Sequence, residues 1–328
     1  MPTSRGPQRR GKSSGPSKSK QRRGERKRRI LYVSVGLGAA LVLGLVLYFN
    51  LGLGSPSQAT TPAIGRPISA QLYSQLEAAA SVFTPPTPSL PNMSIFQFRN
   101  GTPWTIDGKP VIVYIGGEYC PYCAATRWPL TIALLRFGNF SGLEYMLSSP
   151  SDYFPNTPTF TYLKAKYYSP YVVFQPYEAW NREGKVIVTP PSNYTSVLIS
   201  LGGGIPFVDF GGLYVIDNSP FVPQGWAQYN WSQIAKFAMT NSSFGREIDA
   251  YADAFTAVIC KIDGNKPSSV CSNPGIIELE SQLPGPGPHS PPPNQALMTG
   301  YPNAIAQAWA TVQYGQMDRI RTTSVHTR

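Results

Sequence analysis

Val111-Ile-Val-Tyr-Ile-Gly-Gly-Glu-Tyr-Cys-Pro-Tyr-Cys123 is the stretch on which the reading of this chain turns. Val111 to Ile115 is β-branched and aromatic, as a buried strand requires; Gly116 and Gly117 break it, and Pro121 suits the first turn of a helix. Two cysteines placed where a strand becomes a helix form a dithiol/disulfide site. Unpaired backbone N–H groups and the aligned peptide dipoles favour an anion at a helix start, so a Cys120 thiolate is stabilised relative to a free thiol. Cys120 is therefore the expected nucleophile, with its sulfur toward solvent and the more acidic thiol of the two. Two intervening residues bring Cys123 back beneath it, as the resolving thiol of a reversible disulfide. The competing readings are a structural staple and half of a zinc site. A zinc ribbon would want a second close pair, but Cys260 and Cys271 have ten residues between them and the histidines, His289 and His326, lie near the end of the sequence. That spacing argues against metal, and dithiol exchange needs no bound cofactor.

The formal charge of +11 resides wholly in residues 1–29, where twelve Lys or Arg stand against Glu25; the remaining 299 residues carry sixteen charges of each sign. Such an arm alone would suit nucleic acid. It runs at once into Ile30 to Phe49, twenty residues without a charge, long enough as a helix to cross the hydrocarbon core, with Tyr32 and Tyr48 near the two ends. Residues 30–49 are thus the expected single-pass transmembrane helix, with the arm in the cytoplasm and the C-terminal domain extracytoplasmic at the cell membrane. Nucleic acid is not an expected partner. A cleaved signal peptide shares this pattern, but its apolar core is usually shorter, and Asn50 to Gly54 holds no small-x-small cleavage site.

An outward location agrees with six Asn-x-Ser/Thr sequons, at Asn92, Asn100, Asn139, Asn193, Asn230 and Asn241, which are expected glycosylation positions. Four cysteines, an even number, also suit an oxidising compartment. Residues 50–68, rich in Gly, Ser, Pro and Thr, read as a linker; 69–281 as the extracytoplasmic domain; 282–328 as a Pro/Gly-rich linker and tail.

Within that domain the spacing predicts a helix over Gln71 to Val82, an active-site helix with an apolar face over Trp128 to Phe137, and strands at Leu143 to Leu147 and Tyr171 to Phe174. The many aromatics of Tyr153 to Tyr177 are expected chiefly to pack in the core. Trp231 to Ile259 is the longest helical region, interrupted at Ser242 to Gly245; Cys260 ends it, and Lys261 to Val270 reads as a polar loop across which Cys260 and Cys271 can meet. A structural disulfide is the default there, and a second redox pair the sharper alternative.

The second motif is Gly202-Gly-Gly-Ile-Pro-Phe-Val-Asp-Phe210, with Gly211-Gly212 before Leu213 to Ile216, the pattern of a hairpin; Pro206, opening a strand after three glycines, is a candidate cis peptide. A strand-CxxC-helix followed by Ile-Pro before a hairpin resembles the thioredoxin fold. Tyr114 to Cys123, Gly204 to Asp209, and Ile259-Cys-Lys261 with Val270-Cys271 together resemble the archaeal thioredoxin-like family of unknown function, domain of unknown function 929, over roughly residues 90–281. Cys-Pro-Tyr-Cys is also the glutaredoxin tetrad. The resemblance implies an α/β, thioredoxin-like fold and disulfide exchange, with Cys120 attacking, Cys123 resolving, and Pro121, Tyr122, Ile205 and Pro206 contacting substrate. Two departures matter. The 83-residue spacing from Cys123 to Pro206 demands an insertion between the CxxC helix and the cis-Pro strand. Tyr114 stands where the thioredoxin buried acid would align, and Glu118, the nearest carboxylate in sequence, is expected to be solvated. The function these readings imply is a membrane-anchored thiol:disulfide oxidoreductase, an oxidase or isomerase of protein disulfides, with protein thiols as substrates and a membrane redox partner as a further expectation. The alternative is a glycosylated, disulfide-stapled cell-surface domain that only binds.

Overall fold

The computed structural model describes residues 64–240 and 242–285. The basic arm, the apolar segment 30–49, most of the 50–68 linker, the sequon at Asn241 and the tail from residue 286, with both histidines, lie outside the described residues. Among the described residues no helix is long and apolar enough to cross a membrane.

The first helix, α1 (Ala70–Ala80), starts where Ser69 Oγ accepts the Leu72 N–H at 3.1 Å, and it buries Leu72, Leu76 and Ala79. Two short strands, β1 (Gln97–Phe98) and β2 (Thr105–Ile106), lead to β3 (Lys109–Gly117), which passes into α2 (Pro121–Leu135). Then come β4 (Asn139–Ser141), β5 (Glu144–Leu147), β6 (Pro158–Thr161) and β7 (Lys166–Tyr168), in which β4 pairs with β7 and β5 with β6, both antiparallel. The chain returns through β8 (Val173–Trp180), α3 (Ser192–Ser200), β9 (Phe207–Phe210) and β10 (Tyr214–Ile216), and finishes in α4 (Trp231–Phe237), α5 (Ser243–Asp263), α6 (Ser268–Cys271) and α7 (Pro274–Ser281). The fold is mixed α/β around a central mixed sheet. Its order is β1-β10-β9-β3-β2 with β8 also on β3; the β3–β8 pair is parallel and the others are antiparallel.

β3 is the middle of this sheet, and its unbroken apolar run is what a strand covered on both faces needs. Side chains alternate between the faces. Ile112 and Tyr114 join Val208, Phe210 and Ile216 in a large core with α2 and α5, whereas Val111, Val113 and Ile115 join Phe207 and Val215 in a smaller one with Tyr194, Val197 and Leu198 of α3.

Several boundaries differ from the sequence reading. The strand expected to end at Phe174 runs to Trp180, because parallel pairing with β3 carries it past Pro176. Cys260 does not end its helix: α5 continues to Asp263 and closes on Gly264 at φ 77°, so the expected polar loop shrinks to a few residues before α6. Of the chain between the CxxC helix and Pro206, the expected insertion is the two small antiparallel pairs β4–β7 and β5–β6; β8 belongs to the central sheet and α3 follows it. The aromatic stretch is divided: Phe160 and Tyr162 are buried, while Tyr153 is 82% exposed and Tyr168 is exposed.

Candidate functional site

Cys120 is the N-cap of α2. Its Sγ accepts the Cys123 N–H at 3.2 Å, its own N–H donates to the Gly117 carbonyl at 3.2 Å, and Pro121 opens the helix where a missing N–H costs nothing. Neither thiol is in a disulfide. Cys120 is 6% exposed and Cys123 0%, so the sulfur expected to face solvent is largely covered, because the turn packs among Ala179, Trp180, Ile205, Tyr119 and Tyr122. The Ile205–Pro206 peptide is cis, and Phe207 lies opposite Ile115 in the β9–β3 register, which carries Pro206 and Ile205 toward Gly116 and the cysteine turn. Aromatic rings surround this corner. Tyr119 meets Trp180 edge-on at 6.3 Å, Tyr122 meets Phe154 at 5.8 Å, and Ser149 N–H donates to the Tyr119 carbonyl at 2.8 Å, holding the β5–β6 loop against the CxxC turn.

Beneath the thiols lies a buried ion pair. Arg127, one helical turn after Cys123 and fully buried, donates from Nε to Glu178 Oε1 at 2.9 Å and from Nη2 to Glu178 Oε2 at 2.5 Å. Nη2 also donates to the Gly117 carbonyl at 3.0 Å, the same oxygen that receives the Cys120 N–H. Glu178 Oε1 further accepts the Tyr162 N–H at 3.1 Å. Two polar atoms here have no hydrogen-bond partner among the described residues, Arg127 Nη1 and the Tyr114 hydroxyl; the guanidinium stands 5.6 Å from the centre of the Tyr114 ring. Glu118 corrects the sequence reading: it is buried, not solvated. Its Oε1 accepts the Thr161 hydroxyl at 2.7 Å, and burial pushes its carboxyl above the usual range.

These surroundings act oppositely on the two thiols. Burial pushes Cys120 up, helped by its hydrogen bond with Cys123. Burial is also the largest influence on Cys123 and opposes its thiolate, but the bond to Cys120, the Arg127 charge and the Gly117 backbone together outweigh it and draw Cys123 below the usual thiol value. The lowering expected at Cys120 thus falls on Cys123. With a shared hydrogen bond, the first proton belongs to the pair. Cys120 is the more accessible sulfur and Cys123 the more acidic.

Cys260 and Cys271 form a disulfide with Cα atoms 5.6 Å apart, joining α5 to α6 inside the large core, a different apolar cluster from that of Cys120 and Cys123. Among the sequons, Asn92, Asn100, Asn139 and Asn193 are exposed, whereas Asn230 is half-buried in a capping box with Gln233 at the start of α4. Among the described residues no group of three or more His, Cys, Asp or Glu gathers as metal ligands would. Arg127 and Glu178 were missed by the sequence reading. The available signal was an arginine four residues after Cys123 within an otherwise apolar helix, and a glutamate between Tyr177 and Trp180 in a buried strand.

Residues 95–197 match the family model described as Domain of unknown function (DUF929). The match contains β3, the CxxC turn, α2, Arg127 and Glu178; the Ile205–Pro206 and Cys260–Cys271 parts of the resemblance lie beyond it. No curated protein and no solved structure matches the chain.

Proposed function

We propose that this domain is a thioredoxin-like thiol:disulfide oxidoreductase that exchanges disulfides with protein substrates through Cys120 and Cys123. One observation carries the reading: an unbonded pair of thiols at a strand-to-helix junction, with the Cys123 N–H on Cys120 Sγ, in a domain whose other two cysteines are bonded to each other. The Ile205–Pro206 segment beside the turn agrees with it.

In the oxidising direction a substrate thiolate attacks Cys120 Sγ of the Cys120–Cys123 disulfide, forming a substrate–Cys120 bond and releasing Cys123 as thiolate. A second substrate thiolate then attacks the substrate sulfur of that bond. Cys120 leaves as thiolate, the substrate gains a disulfide, and the two site thiolates take up protons. The reducing direction runs the same steps backward. Cys120 carries the mixed disulfide because Cys123 is fully covered. With residues 30–49 as anchor, the domain would stand outside the cell, where oxidation or isomerisation is the useful direction and a membrane redox partner would reset the pair.

Trapping tests this. Cys123→Ala is expected to accumulate disulfide-linked adducts between Cys120 and other proteins on non-reducing gels of membranes, since Cys120 can still attack substrate disulfides but the Cys123 thiolate that releases them is gone; Cys120→Ala is expected to trap almost none. If the Cys123 variant traps nothing and the wild-type protein neither reduces insulin nor refolds a scrambled substrate, the surface-binding alternative replaces this reading.

A further inference from the structure

We propose that Arg127, locked in place by Glu178, is the positioning residue that stabilises Cys123 as a thiolate while Cys120 is joined to substrate. The inference rests on the exchange reading above and names the part of the site that lets Cys123 leave as a thiolate in the oxidising direction and attack as one in the reducing direction. In either direction Cys123 must exist as an anion while fully buried, and burial alone opposes that. When Cys120 enters a mixed disulfide it no longer offers Cys123 a thiol hydrogen bond, and the remaining stabilisation must come from the neighbours.

Those neighbours are few. On α2 there is Arg127, one turn below; on β3 the Gly117 backbone and the Tyr114 hydroxyl; on β8 Glu178; in the turn Tyr119. Arg127 is the sole cation among them. A bidentate carboxylate holds two of its nitrogens, and the Gly117 carbonyl ties it to the strand end that also binds the Cys120 N–H. Its Nη1 has no hydrogen-bond partner among the described residues in a fully buried guanidinium, so the charge is not fully satisfied by the pair. The Tyr114 hydroxyl, likewise buried and unpartnered, is pushed far above the usual phenol range by burial and so stays a neutral O–H. A fixed cation beneath the resolving sulfur lowers the cost of expelling it as thiolate, and Glu178 sets how much of that charge reaches it.

The test is the titration of Cys123 by its ultraviolet thiolate absorbance in the full-length chain carrying Cys120→Ala, with no substrate present. Arg127→Met combined with Glu178→Met removes both charges and leaves neither unpaired, and is expected to weaken Cys123 ionisation by about tenfold or more. Glu178→Gln leaves the guanidinium unneutralised and is expected to shift the midpoint the other way, to lower pH. Arg127→Lys is expected to retain part of the wild-type value. Midpoints that do not move, or that move in the same direction in the Met/Met and Gln variants, overturn the inference; if the Met/Met variant does not fold, the direction of the Glu178→Gln shift decides alone. Because no substrate enters the titration, loss of exchange activity in the wild type would remove the functional reading without altering this result.

Discussion

Asp249, on α5, is a buried carboxyl with one oxygen unpartnered among the described residues, next to Asp253, which Arg136 engages at 2.6 Å and the Thr84 N–H at 2.7 Å. Burial, aided by the Asp253 charge, pushes Asp249 up to about 8, and burial pushes Asp209, beside Arg99, to about 7. Both folded values lie above that of an unfolded aspartate. Between about pH 4 and these values the unfolded chain has lost a proton that the folded chain keeps, so stability falls as pH rises, by at most about 1.4 kcal/mol per pH unit for each group. Asp249→Asn is expected to flatten the thermal-unfolding profile between pH 4 and 8 and to exceed the wild type in stability at pH 8. Parallel profiles would show that Asp249 is ionised throughout. At this scale the cysteine pair was legible because spacing and a helix start define it. Arg127, Glu178 and the burial of Glu118 were not, because a charge becomes part of a site only through the partner that folding brings to it, 51 residues away in the case of Glu178.

Helix α5 shows how far pattern reaches at the level of elements. Its interruption was visible in Ser242 to Gly245, and Ser242 does cap it, Oγ accepting the Gly245 N–H at 3.1 Å. Hidden in sequence was the close approach at Gly245, where a Cβ would overlap the Phe237 carbonyl at the end of α4. Gly245→Ala is therefore expected to cost about 1–3 kcal/mol, read by denaturant unfolding; a neutral result would mean that the α4–α5 junction yields freely. The C-terminal end was misjudged because helical hydrogen bonding carries past Cys260 despite the polar residues there. The disulfide, its two cysteines buried in the large core, closes a short surface loop, and loop closure of this length is worth about 3 kcal/mol. Replacing both cysteines by Ala should lower the unfolding temperature and leave exchange by Cys120 and Cys123 intact. Parallel loss of exchange would instead make this pair part of the chemistry.

For the whole molecule, the α/β class was legible in β3 and the CxxC turn, and the need for an insertion was legible in the spacing to Pro206. The content of that insertion was not. β4 to β7 are short strands whose pairing, β4 with β7 around β5 with β6, depends on contacts between distant residues rather than on any local period. The placement of α3 over the smaller core was hidden for the same reason. This arrangement lays the aromatic β5–β6 loop against Tyr119 and Tyr122 at the edge of the cysteine turn, a feature that neither cysteine spacing nor strand pattern encodes. As a disulfide-exchange site, the covered pair cycles between dithiol and disulfide. The most direct measurement is the reduction potential of Cys120–Cys123, obtained by equilibrating the protein with thiol/disulfide buffers and quantifying free thiols. Surroundings that favour the Cys123 thiolate stabilise the reduced form, so a potential between about −120 and −200 mV is expected; a value below about −300 mV would mark the pair as an inert structural bridge and end the exchange reading.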